Sequence, residues 1–213
     1  MNDPTPFTLE TPNGPRHGLV DLPESPGERP AVVLVPGSAG LLEWAFLPYL
    51  AALLAARGFV AVRIAGEPGE LQTLLEALGR EIAPGRIDPS RFGLFGHGPG
   101  GAAAILAAAL PEWRDPVGAL VTWAAPASSH TLEAAPRVGA PWLLVHGEAD
   151  ETVPVVAAEQ LLSAAGGPRE KLDFLRVPGG DHSFGARHPF SGPTPVLIQS
   201  LNATQRWFRR HLS

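Results

Sequence analysis

The chain has 213 residues, of which 45% are hydrophobic and 17% charged, and its formal net charge is -5. This length is typical of one globular domain with a large buried core, so we expect residues 1–213 to form a single domain. The absence of cysteine rules out disulfides, thiolate metal sites and a cysteine nucleophile.

The charge and hydropathy patterns argue against two classes of partner. Basic residues are scattered, and their one cluster, Arg206, Arg209 and Arg210, fits the last turns of a helix, so we predict no nucleic-acid binding. No apolar run has the length of a membrane span, and the first ten residues lack the basic and apolar segments of a signal peptide. We therefore expect a cytoplasmic protein with no membrane partner.

Short apolar runs alternate with longer alanine- and leucine-rich segments, a pattern typical of β-α units and a parallel sheet. The predicted strands are FTLET (7–11), GLVDLP (18–23), AVVLVPG (31–37), FVAVRI (59–64), RFGLFG (91–96), VGALVTWAA (117–125), PWLLVHG (141–147) and KLDFLRVP (171–178). The first predicted helix lies within 44–59, with a late start at Pro48 and an end at Gly58. A second covers 69–82, and a third runs from the glycine-rich corner to the residue before Pro111. The last two cover 153–165 and 195–211.

This alternation predicts a three-layer, doubly wound α/β fold with a mostly parallel central sheet of about eight strands. In such sheets ligands bind outside the carboxyl ends of the strands. The segment between Ala125 and Pro141 is short, so we expect only a minimal lid over those ends.

The stretch GHGPGG, residues 96–101, joins a predicted strand to an alanine-rich helix. Gly96, Gly100 and Gly101 are the small residues that a very tight strand-to-helix turn requires. The centre of such a turn, Gly98 here, has a strained backbone with positive φ. The layout is that of a nucleophile elbow.

An acid and a histidine follow this elbow along the chain. Asp150 lies in VHGEADETVP, after one predicted strand, and His182 lies in PGGDHSF, after the next. The order elbow, acid, histidine and these contexts resemble the α/β-hydrolase superfamily, in particular its small dienelactone-hydrolase-like branch. The resemblance covers nearly the whole chain and extends to HPFSGPTP before the last helix. GSAGLLEW and LAARGF are more weakly similar to acyl-CoA thioesterase and bile-acid acyltransferase catalytic domains.

The resemblance implies a role for each position of the site. Residue 98 holds the place of the nucleophile, His182 that of the base, and Asp150 that of the carboxylate that fixes its tautomer. Ser38, just after Gly37, would direct a backbone N–H into the oxyanion hole, and residue 99 would supply the second N–H. The implied ligand is a small ester, lactone or acyl-type molecule, with no cofactor.

The chain departs from the family pattern at two adjacent positions. Gly98 has no side chain and cannot form an acyl-enzyme, and Pro99 has no N–H to give to the oxyanion hole. Replacement of the nucleophile alone would leave residue 99 unchanged, so the pair of changes favours natural loss of acyl transfer. We therefore predict a protein that is impaired in ester hydrolysis or does not hydrolyse esters.

Three alternatives stay open. In the first, the chain is a competent ester, lactone or thioester hydrolase in which a serine at position 98 was replaced. In the second, Asp150 and His182 act as a base on water or on a substrate proton. In the third, the protein binds a ligand or partner without turnover. A nucleophile relocated to Ser38 fits the expected geometry poorly.

The other histidines have simpler interpretations. We expect His97, which adjoins the elbow and borders the pocket, to be a packed strand-end residue, and His146 to lie at the edge of the core. A metal site built from His146, Asp150, Asp181, His182 and His188 is disfavoured, because no pair has helical metal-ligand spacing.

Overall fold

Buried apolar runs form the strands of one eight-stranded sheet, in the order β1-β2-β4-β3-β5-β6-β7-β8. The computed structural model describes residues 3–37, 39–65, 68–166 and 168–212. The strands are β1 (Thr5–Leu9), β2 (Arg16–Asp21), β3 (Arg29–Val35), β4 (Val60–Ile64), β5 (Ile87–His97), β6 (Val117–Trp123), β7 (Trp142–Gly147) and β8 (Leu172–Val177). β1 pairs with β2, and β2 with β4, in antiparallel fashion, while β3 to β8 pair in parallel. The expected sheet of about eight mostly parallel strands is therefore confirmed.

Helices cover both faces of the sheet. They are α1 (Leu47–Ala55), α2 (Pro68–Ala77), α3 (Pro99–Ala108), α4 (Ser129–Ala134), α5 (Val156–Ala164) and α6 (Pro195–Leu212). One hydrophobic cluster joins the sheet to α1 and α6, and a second joins it to the helices from α2 to α5. This is the predicted three-layer arrangement. In the described part of the chain, no helix has both the length and the apolarity to cross a lipid bilayer.

Helix ends follow local backbone chemistry. α1 starts late, beside Pro48, and ends before Gly58, whose φ of 89° lets Phe59 N–H bond back to Leu54 O, as expected from the sequence. α2 stops at Ala77, five residues before the predicted end at Ile82. Gly79, with a φ of 77°, turns the chain there and ends the helix early.

The segment between β6 and β7 forms α4 and a single 3-10 turn at Ala135–Arg137. α4 packs against α3 and α5, and Ala134 and Ala135 are fully buried in that layer. Little chain is left to cover the carboxyl ends of the strands, in keeping with the minimal lid expected there.

A buried ion pair ties the chain after β3 to the sheet. Arg63 on β4 is 1% exposed, and its Nε and one terminal nitrogen donate to Asp21 Oδ2 at 3.1 and 3.0 Å. Its other terminal nitrogen donates to the carbonyl of Leu42 at 3.0 Å. Burial raises the pKa of Asp21 above its ordinary value, although the Arg63 guanidinium opposes this rise.

Asp21→Ala leaves the Arg63 guanidinium buried without its carboxylate. We expect a loss of about 3–5 kcal/mol in the free energy of unfolding, measured by urea denaturation. Glu24→Ala, a change at an exposed carboxylate three residues away, is the control and should change stability by less than about 0.5 kcal/mol. Equal losses of stability in the two variants would mean that the buried ion pair contributes no more to the free energy of unfolding than an exposed carboxylate does.

Candidate active site

The turn between β5 and α3 is the centre of the site. Gly98 has φ 54° and ψ -124°, a conformation that L-residues rarely adopt, and Pro99 is the first residue of α3. The N–H of Gly98 donates to the carbonyl of Trp123, at the end of β6, at 2.9 Å. The elbow predicted from the sequence is therefore formed, and its centre has a backbone conformation that would be strained in a residue with a side chain.

Close backbone contacts explain the glycines around this turn. A Cβ at Gly96 would lie 2.2 Å from the carbonyl oxygen of Gly100, and a Cβ at Gly100 would lie 2.0 Å from that of Val35. A Cβ at Gly101 would lie 2.8 Å from Ala125 Cβ. Any side chain at the first two positions would force the backbone apart, so the turn requires glycine there.

Asp150 and His182 meet as the resemblance implies. His182 Nδ1 donates to Asp150 Oδ2 at 2.9 Å, and Oδ1 of the same buried carboxylate accepts the N–H groups of Thr152 and Val153, both at 2.9 Å. The carboxylate fixes the proton on Nδ1, so the Nε2 lone pair of neutral His182 faces away from Asp150. These two bonds also hold Thr152 and Val153 in a turn. α5 begins at Val156 instead of the predicted Val153, because Pro154 disfavours helical backbone at the residue before it.

The loop that carries Asp150 packs against the loop that carries His182. Ala149 N–H donates to the carbonyl of Gly180 at 2.9 Å. A Cβ at Gly147 would lie 2.1 Å from the same carbonyl oxygen, so the approach depends on glycine. The ends of β7 and β8 thus bring two residues that are 32 positions apart into contact.

The His182 ring lies beside Gly98, the central residue of the elbow. A Cβ built on Gly98 would lie 3.3 Å from His182 Nε2 and 3.6 Å from Cε1. The His182 side chain is 24% exposed, whereas that of Asp150 is fully buried. Nε2 of the histidine therefore lies beside the position from which a side chain at residue 98 would project.

His97 is in direct contact with His182, which the sequence did not indicate. Its Nε2–H donates to the main-chain carbonyl of His182 at 2.8 Å, and the two ring centroids are 4.9 Å apart. The edge of Phe46 packs on the His97 ring, with centroids 5.4 Å apart. Burial lowers the pKa of His97 to about 4, so the imidazole is neutral at pH 7. The residue is packed at the strand end, as expected, but against the site.

His146 lies behind the acid. Its Nε2–H donates to the carbonyl of Val153 at 2.8 Å and lies 3.5 Å from Asp150 Oδ2. Burial lowers the pKa of His146. Of the five residues weighed for a metal site, His146, Asp150 and His182 lie near one another, but His146 Nε2 and His182 Nδ1 are used in hydrogen bonds. The described ranges hold no group of three or more histidine or acidic side chains arranged to bind a metal ion.

The expected oxyanion region is only partly described. An ideal Cβ at Gly37 would lie 3.2 Å from Pro99 Cδ, so the end of the β3 segment touches the start of α3. Pro99 is exposed and offers no N–H. Ser38 lies outside the described residues.

The sheet order, the two helical layers and the sequence of elbow, acid and histidine define an α/β hydrolase fold. A sequence model of the dienelactone hydrolase family matches residues 71–212. The chain belongs to the dienelactone hydrolase family.

Solved structures share this fold over the full chain at low sequence identity. A dienelactone hydrolase from Anabaena variabilis is 21% identical, with a TM-score of 0.78 and 100% of both chains covered. An esterase domain from Rhodothermus marinus is 18% identical, with a TM-score of 0.77 and 100% of both chains covered. Est1E from Butyrivibrio proteoclasticus is 16% identical, with a TM-score of 0.77 and 99% of both chains covered.

A curated relative matches a shorter stretch. The uncharacterized peptidase YuxL of Bacillus subtilis is 32% identical over 81 residues, which are 38% of this chain and 12% of that protein. The match therefore spans about one eighth of the length of the curated relative.

Gly98→Ala tests the strain at the elbow. We expect a loss of about 1–3 kcal/mol in the free energy of unfolding, because alanine must hold the strained backbone and its Cβ meets His182 Nε2. The same change in a His182→Ala background should cost less, since the contact is then absent. Equal costs in both backgrounds, measured by urea denaturation, would assign the whole effect to the backbone.

His97 makes stability depend on pH. Its pKa is about 4 in the folded chain and about 6.5 when unfolded, so the unfolded chain binds more protons between these values. Stability from His97 is full above pH 6.5 and is lost as the pH falls towards 4, by up to about 3 kcal/mol. His97→Gln should flatten the urea-derived stability curve over this window. An unchanged slope in this variant would assign the dependence to other groups, including His146.

Proposed function

We propose that this protein binds a small ester, lactone or acyl-type ligand beside Gly98 and His182, at the carboxyl ends of the strands, and is impaired in hydrolysis through an acyl-enzyme on residue 98. The observation that carries the proposal is the glycine at the centre of a formed elbow, followed by proline. The proposal takes residues 1–213 as one α/β-hydrolase domain that needs no cofactor and binds neither nucleic acid nor membranes. The cytoplasmic location expected from the sequence is part of the same proposal.

Gly98 and Pro99 each lack a group that acyl transfer requires, and both residues are compatible with the turn. Gly98 offers no oxygen or sulfur to attack a carbonyl carbon. Pro99 cannot donate to the oxyanion of a tetrahedral intermediate, and loss of one such donor typically costs about 10²–10³ in kcat. Proline also fits the first position of a helix, and glycine adopts the elbow conformation without strain, so both residues suit stability.

The ligand class is supported by the fold relatives. Structures named as a dienelactone hydrolase and as an esterase domain share the arrangement of strands that positions Gly98 and His182. The Nε2 lone pair of this partly exposed imidazole can accept a hydrogen bond from a ligand hydroxyl and can face the electrophilic carbon of a carbonyl group. The ligand then approaches from the carboxyl ends of the strands.

A second candidate function follows from the hydrogen bond of 2.9 Å between His182 and Asp150. This pair has the geometry of a general base, which can take a proton from water or from a carbon acid without any serine. His182→Ala should abolish such activity and leave the fold intact, whereas a pure binding function predicts no activity to lose.

The decisive comparison uses three proteins and short-chain nitrophenyl esters and thioesters. These are the unchanged chain, Gly98→Ser with Pro99→Met, and the same double change with His182→Ala. We expect the double change to raise kcat/KM at least about 100-fold, and the triple change to abolish this gain. Since Cβ and Nε2 would lie 3.3 Å apart, His182 must shift by a few tenths of an ångström to accept the serine.

Ligand binding is measured separately in the unchanged chain. Short-chain lactones, carboxylates and methyl ketones should shift the imidazole NMR signals of His182, with no effect on those of the exposed His130. Hydrolysis by the unchanged chain at the rate of the double variant would contradict the impairment. Absence of any shift with the whole panel would contradict the ligand class.

A further inference from the structure

We propose that His182 is itself a nucleophile towards activated acyl donors, namely aryl esters and thioesters, and forms an acyl-imidazole on Nε2. The inference rests on the proposed function, because it requires that residue 98 form no acyl-enzyme. It assigns the protein a covalent activity that uses the histidine in place of a hydroxyl or thiol.

The position of Nε2 is the first argument. It lies 3.3 Å from the ideal Cβ of residue 98, at the place where the side chain of a nucleophile would extend from the elbow. A carbonyl carbon bound over the elbow therefore meets the imidazole nitrogen. The His182 side chain is 24% exposed, so an acyl donor can reach it from solvent.

The orientation of the ring is the second argument. Nδ1–H donates to the buried carboxylate of Asp150 at 2.9 Å, which leaves the lone pair on Nε2. The carboxylate also stabilises the positive charge that the ring acquires when Nε2 bonds to carbon. A hydrogen bond from the His97 ring to the main-chain carbonyl of His182 fixes the backbone that carries the His182 ring.

The lone pair has no competing donor among the described residues. Gly98 supplies no hydroxyl, and no other side chain in those ranges donates a hydrogen bond to Nε2 of His182. The nearest ring, His97, is neutral at pH 7 because burial lowers its pKa to about 4. His97 therefore adds no positive charge that would oppose formation of an acylated, cationic His182.

The leaving group sets the class of donor. A tetrahedral intermediate on an alkyl ester returns to the starting ester, because the imidazole leaves more readily than an alkoxide. The missing N–H at Pro99 also slows formation of this intermediate, so only activated donors react at a useful rate. Phenolates and thiolates leave readily enough to compete with imidazole. Aryl esters and thioesters are therefore acyl donors, and simple alkyl esters are not.

The reaction balances without an additional reactant. The Nε2 lone pair bonds to the carbonyl carbon, and the bond from that carbon to the phenolate or thiolate breaks, leaving an N-acylimidazolium whose Nδ1–H stays bonded to Asp150. Water then bonds to the acyl carbon while the Nε2–C pair returns to nitrogen. One proton of this water goes to the departed anion, so the products are the carboxylic acid and the phenol or thiol.

The first test follows nitrophenol release from nitrophenyl acetate and the mass of peptides after acid quench. We expect a burst of one nitrophenol per chain and one acetyl group on the peptide that contains His182. Both should be lost in His182→Ala and retained in His130→Ala, which removes an exposed histidine on α4. An acetyl group found only on other residues would overturn the proposal.

A second test compares two acyl donors, with His182→Ala as the control, and applies even if the acyl group leaves too quickly for a burst. The unchanged chain receives an acetyl group from either the nitrophenyl ester or the thiophenyl ester of acetic acid. Hydroxylamine is added to compete with water for the acyl group. A common acyl-imidazole predicts the same ratio of hydroxamate to acetate from both donors. A ratio that depends on the donor, with activity still lost in His182→Ala, would overturn the proposal in favour of general-base catalysis and leave the proposed impairment at residue 98 standing.

Discussion

The start of α3 lies against the ends of β3 and β5 with only backbone atoms between them. Gly100 leaves no space for a side chain, since its Cβ would overlap the carbonyl of Val35, and the same holds for Gly96 against Gly100. This contact fixes the height and direction of residue 98 above the sheet. The position of the elbow is thus decided by packing, and it persists whether or not residue 98 carries a reactive atom.

Asp150 and His182 differ in how far their presence is explained by the stability of the fold. Asp150 organises the turn before α5 through the N–H groups of Thr152 and Val153, so its presence has a structural explanation by itself. The imidazole of His182 is different, because its side chain is partly exposed and, within the part of the chain that the structure describes, only Nδ1 is hydrogen-bonded to protein. Its orientation, more than the presence of Asp150, supports a continuing use of the site.

The sequence predicted the order of strands and helices well, because the buried strands are continuous apolar runs bounded by glycine and proline. It also predicted the elbow and the pairing of Asp150 with His182, from chain order and resemblance. Contacts between distant segments were not predictable in this way. The bond from His97 to the His182 carbonyl depends on how the loop after β8 folds over the end of β5, and no local pattern encodes that placement. The early start expected for α5 was wrong because Pro154 disfavours helical backbone at Val153.

Gly98 and Pro99 affect acyl transfer jointly. A serine placed at position 98 would stand at a helix start without the second oxyanion donor, and a non-proline residue placed at position 99 would have no nucleophile beside it. Each single substitution would supply one of two groups that act on the same carbonyl, while giving up a residue that suits the local backbone. The two positions are coupled in chemistry through that carbonyl and in structure through the start of α3, so the effect of a substitution at one is defined only together with the residue at the other.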